Sequence, residues 1–156
     1  MRLSVCAVGR LRAGPERALT DDYYQRFDRS GRPLGLGPVT EMEVEDKKNL
    51  GPAAEALLLE RALPAGALLA VLDERGRMLS SPEFAATLAK WRDGGRQDVA
   101  FVIGGADGID PGLRARAEFG LSFGPMVWPH MLVRVMLAEQ LYRAATILAG
   151  GPYHRA

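Results

Sequence analysis

The two histidines of this chain flank a long apolar segment near its C-terminus. His130 follows Trp128-Pro129, and His154 follows Gly150-Gly151-Pro152-Tyr153. Imidazole titrates near neutral pH, so either ring could accept or donate a proton in catalysis. Each also has a structural interpretation: His130 could cap a helix or bond a backbone carbonyl, and His154 could belong to a frayed tail.

The polar residues around His154 also have two interpretations. Tyr153, His154 and Arg155 combine aromatic, imidazole and guanidinium groups, which suit base stacking and phosphate contact in RNA recognition. Arg143 follows Glu139 at the i,i+4 spacing of a helix-surface ion pair, which alone would explain its presence.

The segment between the histidines predicts a helix over residues 131–148 that is apolar almost all round. Such a helix is buried on every face. In a small domain, one face can pack on the sheet and the other on a second subunit. The sequence therefore predicts a homodimer.

Two glycine-containing segments precede this helix. Gly104-Gly105-Ala106-Asp107-Gly108 follows an apolar strand, but its spacing is not the G-x-G-x-x-G dinucleotide fingerprint and it lacks the lysine of a P-loop. It is either a tight turn or a cofactor contact. The loop Ser122–Pro129 is so apolar that we expect it to be buried. Its backbone groups would then form hydrogen bonds either within a short strand and turn or with a flat ligand such as adenine.

These segments need a scaffold, and short apolar runs alternating with helical patterns predict a parallel α/β sheet flanked by helices. Continuous apolarity in the third and fourth strands indicates helices on both sheet faces. Ligands of such sheets gather at the carboxyl ends of strands, here near Asp73 and Gly104. The predicted strands cover residues 3–8, 39–44, 68–72 and 99–103. Helices are predicted to begin near Pro15, near Pro52 and at the capping box formed by Ser80 and Glu83. The first of these helices has Leu19, Tyr23 and Phe27 on one face.

Composition limits the class of protein. The 156 residues, 47% of them hydrophobic, fit one domain over residues 1–156. The chain lacks the layout of a secretory signal and an apolar run long enough for a membrane span, which predicts a cytoplasmic protein. Cys6 is the single cysteine, so no disulfide, zinc cluster or other metal is expected. The net charge of +1 argues against a non-specific nucleic-acid coat but allows one structured RNA site.

Five motifs together resemble the ribosomal RNA large subunit methyltransferase H (RlmH) family of the SPOUT superfamily, from Met1 to the C-terminus. They are Val71-Leu72-Asp73, Ile103–Gly108, Trp128–Val135, Glu139–Ala144 and Pro152–Arg155. The resemblance implies a C-terminal deep trefoil knot, a homodimer, and S-adenosyl-L-methionine held by the knotted loops. It implies a product, 3-methylpseudouridine, in a stem-loop of 23S rRNA in the assembled ribosome.

The resemblance also implies site residues. The cofactor site would comprise Leu72, Gly104, Phe123, Gly124, Pro125, Met126, Val127 and Trp128. This loop departs from the family pattern at Gly124-Pro125, Val127 and Trp128, so cofactor contacts there would come from the backbone. Among residues near the knot and the tail, His130 and His154 are the candidates to remove the proton from N3 of the target nucleobase. Arg143 would stabilise charge on its carbonyl oxygens, and Tyr153 would stack on the extruded base.

Two other functions remain open. A catalytically inactive ribosome- or RNA-binding SPOUT module would explain the altered cofactor loop. A transfer RNA methyltransferase would share the chemistry, although this short chain has no appended RNA-binding domain.

Overall fold

The computed structural model describes residues 1–155; Ala156, the last residue of the predicted domain, lies outside the described part. Within residues 1–155, five strands and five α-helices alternate, with a 3-10 helix at Arg32–Leu34. The strands are β1 (Arg2–Val8), β2 (Val39–Val44), β3 (Leu68–Met78), β4 (Asp98–Ile103) and β5 (Phe119–Ser122). The helices are α1 (Pro15–Gly31), α2 (Pro52–Ala62), α3 (Ser81–Asp93), α4 (Pro111–Arg116) and α5 (His130–Leu148).

The strands form one parallel sheet in the order β2-β1-β4-β3-β5. The central strands β1 and β4 are buried almost throughout, because helices cover both faces of the sheet. One apolar core lies under α1, α3 and α5, and the second lies under α2 and α4. The predicted α/β class is confirmed, whereas the knotted path of the chain stays a prediction.

Local signals in the sequence set the helix starts. Proline occupies the first turn of α1, α2, α3 and α4. Ser80 and Glu83 form the expected capping box, in which each side chain accepts a hydrogen bond from the other residue's backbone N–H. Asp110 caps α4 through the backbone N–H groups of Gly112 and Leu113.

Two predictions about these elements are wrong. β3 continues past Leu72 to Met78, because after a register shift it pairs again with β5. The prediction for α1 fails at Leu19, which is 46% exposed and borders a groove between α1 and α5. Phe27 is fully buried as predicted and Tyr23 packs against the core, while Thr20, Tyr24 and Gly31 complete the buried face.

Within residues 1–155, no helix combines the length and the apolarity that crossing a membrane requires.

Candidate functional site

A tight turn after α5 brings the C-terminal residues back onto that helix. Gly150 adopts a left-handed φ of 73°, and its N–H donates to the carbonyl of Ile147. The N–H of Gly151 donates to the carbonyl of Thr146 at 2.8 Å, which completes a Schellman motif. The chain therefore reverses direction, and Tyr153 and His154 are packed on the helix rather than part of a frayed tail.

Four side chains meet where this segment lies on α5, and we call them the tail cluster: Glu139, Arg143, Tyr153 and His154. The carboxylate of Glu139 accepts hydrogen bonds from the guanidinium of Arg143 and, at 3.0 Å, from the hydroxyl of Tyr153. Arg143 Nη1 lies 3.3 Å from His154 Nδ1, and its guanidinium carbon lies 4.8 Å from the centroid of the Tyr153 ring. The structure thus brings together three of the predicted catalytic residues.

Glu139 holds the tail cluster together, a role that the sequence showed only as a helix-surface ion pair. Its hydrogen bonds raise the pKa of Arg143 above the ordinary value, so the guanidinium remains charged. Burial raises the pKa of Tyr153, and the Tyr23 hydroxyl and the Glu139 carboxylate raise it further. At neutral pH, Tyr153 is therefore a hydroxyl donor.

A cleft of about 520 Å³ opens beside residues 72–75 of β3 and the turn that follows β4. Its walls come from this part of β3, the glycine turn, α4, the loop after β5 and the start of α5. Of the predicted cofactor residues, the cleft is lined by Leu72, Phe123, Gly124, Met126, Val127 and Trp128.

Two predicted cofactor residues do not line this cleft. Gly104 faces its own turn: a Cβ added there would lie 2.7 Å from the carbonyl oxygen of Gly108. Glycine is needed at this position because the two backbone segments approach so closely. Pro125 is exposed and is not among the residues that line the cleft.

The expected burial of the loop after β5 is wrong for the single chain. Val127 is 89% exposed, Met126 72% and Trp128 39%, and Met131 and Leu132 in the next turn are about equally open, at 41% and 40%. The loop borders the cleft on one side, and no part of residues 1–155 covers its outer surface. The first turn of α5, predicted to be buried on every face, is exposed as well.

Asp73 and Arg114 form an ion pair in the wall of the cleft. Arg114 Nε donates to Asp73 Oδ2 at 2.6 Å, and the N–H of Arg75 donates to Oδ1 at 2.8 Å. Burial raises the pKa of Asp73, but the N–H of Arg75 and the guanidinium of Arg114 outweigh burial and place it below the ordinary value. The sequence predicted that the strand ends at Asp73, but Asp73 lies within β3, and its partner Arg114 lies 41 residues away in the chain.

His130, the fourth predicted catalytic residue, lies apart from the tail cluster. It begins α5, and its Nε2 is 3.6 Å from where a Cβ would stand on Gly9. Glu139 follows nine residues later, about 13 Å along the helix axis. Within one chain the two histidines therefore belong to different places.

One turn after His130, a fully buried arginine ties α5 to the sheet. Arg134 Nη2 contacts Glu43 Oε2 at 2.6 Å and Glu41 Oε2 at 2.9 Å, and Nη1 donates to the carbonyl of Gly9 at 3.1 Å. Its side chain has no exposed surface. The sequence gives no sign of this contact, because the partners of Arg134 lie on β2 and just after β1, far from it in the chain.

Among residues 1–155, no three His, Cys, Asp or Glu side chains are grouped so that they could hold a metal ion.

A protein-family profile described as "Predicted SPOUT methyltransferase" matches residues 1–154. The Ribosomal RNA large subunit methyltransferase H of Ruegeria sp. (strain TM1040) is 72% identical over 99% of both chains. The protein of the same name from Ruegeria pomeroyi is 74% identical over the same shares. The chain belongs to the ribosomal RNA large subunit methyltransferase H family. The predicted SPOUT membership is thereby confirmed.

Among solved structures, a probable methylase family protein from Haemophilus influenzae Rd KW20 matches with a TM-score of 0.48 and 11% identity. The match covers 99% of this chain and 70% of that one.

Proposed function

We propose that the chain is an S-adenosylmethionine-dependent methyltransferase of the large ribosomal subunit. Its product is 3-methylpseudouridine in a stem-loop of 23S rRNA, and its substrate is the assembled ribosome. The observation that carries the proposal is the arrangement of the cleft and the tail cluster: Phe123 lines the cleft and also lines the groove that contains Glu139. In a chain of this family, the proposed cofactor cleft and the groove beside Glu139 thus share one wall residue.

The cleft fits the cofactor in size and chemistry. Its volume of about 520 Å³ lies within the range of cofactor sites. Leu72, Ile109 and Phe123 offer apolar surface to an adenine ring. Gly124 leaves open space, since a Cβ placed there would meet no atom within 4 Å. When bound, S-adenosylmethionine supplies an electrophilic methyl group.

The tail cluster prepares the nucleobase. Arg143 can only donate hydrogen bonds, so its contact with His154 Nδ1 makes that nitrogen the acceptor. The neutral ring then carries its proton on Nε2 and donates from there. Arg143 and His154 therefore present donors to the carbonyl oxygens that flank N3, where negative charge grows as N3 loses its proton. We assign the acceptance of that proton to the neutral imidazole of His130. Tyr153 offers its ring to the extruded base.

The chain is proposed to act as a homodimer in which the tail of one copy completes the site of the other. The support is the exposed apolar surface at Met126, Val127, Met131 and Leu132, which a second copy would cover. Light scattering at micromolar concentration tests this step. We expect twice the chain mass of 16.9 kDa, and a monomer would refute the dimer.

The activity is tested by transfer of labelled methyl from S-adenosylmethionine to ribosomes that lack the modification, followed by mass spectrometry of the 23S rRNA nucleosides. Label in 3-methylpseudouridine on whole ribosomes, and none on free rRNA, is the expected result. Label in transfer RNA would favour the transfer RNA methyltransferase. Absence of both label and cofactor binding would favour the inactive RNA-binding module.

Variants of the tail cluster test the assigned residues. Arg143→Ala and His154→Ala should lower turnover by about 10²-fold or more, the usual effect of losing a donor to developing charge, with cofactor affinity unchanged. Arg61→Ala, an exposed residue of α2, serves as the matched control and should keep full turnover. Wild-type turnover in both tail variants would refute the assignment.

A further inference from the structure

Arg114 is held in a fixed orientation in the wall of the cleft. Its Nε donates to Asp73 at 2.6 Å and its Nη2 donates to the carbonyl of Ile109 at 3.1 Å. The Asp73 side chain is only 6% exposed and is itself fixed by the N–H of Arg75. The plane of the Arg114 guanidinium is therefore set before any ligand binds, which reduces the entropy lost on binding.

The same guanidinium keeps donors for a ligand. Arginine has five N–H groups, and the bonds to Asp73 and Ile109 use one each. Within residues 1–155, no protein acceptor bonds Nη1, although Arg114 is only 31% exposed and lines the cleft. Arg75 also lines the cleft, but its side chain is 65% exposed and its guanidinium lies 3.9 Å from Asp73, so it is less constrained.

We propose that Arg114 binds the carboxylate of the methionyl group of S-adenosylmethionine. The planar guanidinium matches a carboxylate in geometry and charge, and this carboxylate is the one anionic group of the cofactor. The apolar wall of the cleft suits the adenine ring but offers no positive charge to the carboxylate. Arg114 is then a cofactor-binding residue, and Asp73 is the positioning residue that holds it. The inference rests on the proposed function, since it concerns the same cofactor.

Isothermal titration calorimetry with two ligands tests the assignment. S-adenosylmethionine and decarboxylated S-adenosylmethionine share the adenosine, the sulfonium and the amino group, and differ in the carboxylate. For each protein, we divide the dissociation constant of decarboxylated S-adenosylmethionine by that of S-adenosylmethionine. A general folding defect weakens the binding of both ligands and leaves this ratio unchanged. The wild type should bind the decarboxylated ligand roughly 10- to 100-fold more weakly, as expected for a charged hydrogen bond.

Arg114→Met should reduce this ratio to about one or below, because the ligand carboxylate loses its donor and faces Asp73. The double variant Asp73→Asn with Arg114→Met also removes the charge of the Asp73 carboxylate and should give a ratio of about one. It keeps the test available if the unpaired Asp73 prevents Arg114→Met from folding. Arg116→Met is the matched control: Arg116 is in the same helix, is 59% exposed and pairs with Glu60 outside the cleft. It should keep the wild-type ratio.

The failures of the two proposals are distinguishable. If the wild type prefers S-adenosylmethionine and the Arg114 variants keep that preference, the Arg114 assignment is overturned and the proposed function stands. If the wild type binds both ligands equally, the carboxylate is not recognised and the assignment is again overturned. If the wild type binds neither ligand, both proposals are overturned.

Discussion

Replacing Arg134 by methionine should destabilise the protein strongly, although Arg134 lies outside the cleft and the tail cluster. The side chain is fully buried, and it contacts Glu41 and Glu43 on β2 and the carbonyl of Gly9 after β1. Methionine fills a similar volume but donates no hydrogen bond. Arg134→Met therefore leaves two carboxylates and one carbonyl without their partner.

The size of the effect follows from how buried these partners are. Removing one member of a buried ion pair typically costs about 3–5 kcal/mol. Here Glu41 and Glu43 keep 15% and 24% exposure, and Arg17 remains 2.7 Å from Glu41 and 3.9 Å from Glu43. Water and Arg17 compensate part of the loss, so we expect a decrease in the free energy of unfolding of about 2–4 kcal/mol. For a chain of this size, this lowers Tm by roughly 5–15 °C.

Urea denaturation at a fixed protein concentration measures the change. The control is Arg26→Met, which removes a pair with Asp22 whose two side chains are each 47% exposed, and it should stay within about 0.5 kcal/mol of the wild type. Adding Glu43→Gln to Arg134→Met should recover about 1 kcal/mol, because one unpaired charge disappears while the amide oxygen still accepts from Leu11. An Arg134→Met protein as stable as the Arg26→Met control would refute this reasoning.

Three further changes have expected outcomes. Ser80→Ala removes the cap of α3 and should lower the free energy of unfolding by about 1 kcal/mol in thermal denaturation; no change would mean that the cap contributes nothing. Gly104→Ala places a Cβ 2.7 Å from the carbonyl oxygen of Gly108, so calorimetry should show weaker S-adenosylmethionine binding as the turn shifts, whereas wild-type affinity would contradict a rigid turn. The pKa of Asp73 lies below its ordinary 3.8, so its stabilisation is present above pH 3.8 and is lost as the pH falls through the folded-state pKa. Acid titration of Asp73→Asn should therefore show a shallower loss of stability in that range, and an unchanged slope would contradict it.

Features that depend on neighbouring residues were predictable from the sequence. The prolines in the first turns, the capping box of Ser80 and the alternation of strands and helices all act over a few residues, and the structure has them where predicted. The apolar run of β4 likewise predicted a strand buried on both faces. These signals determine the elements and therefore the fold class.

Features that depend on distant pairing were not predictable in this way. The extension of β3 exists because β5, more than forty residues later, pairs with its last residues. Arg134 of α5 is buried where Glu41 and Glu43 of β2 can pair with it. Periodicity of a single segment contains no information about such partners, so the sequence predicted neither the extension of β3 nor the pairing of Arg134.

The tail shows why the two sequence interpretations of Arg143 could not be separated. Glu139 and Arg143 do form the i,i+4 pair that a helix surface would carry. The same carboxylate also receives the hydroxyl of Tyr153, and the same guanidinium contacts His154. A local ion pair and a larger side-chain cluster can share atoms, and here the turn at Gly150 brings Tyr153 and His154 to the pair.

The proposed roles of His130 and Arg143 depend on the proposed homodimer. The two residues lie on one straight helix, about 20 Å apart along its axis at 1.5 Å per residue. A single nucleobase is much smaller than this separation, so the two side chains can act on the same base only if they come from different copies. The apolar surface of residues 126–132 lies next to His130 and is open in the single chain, where a second copy would cover it. An active monomer would therefore exclude joint action of His130 and Arg143 and would leave the tail cluster as the catalytic group.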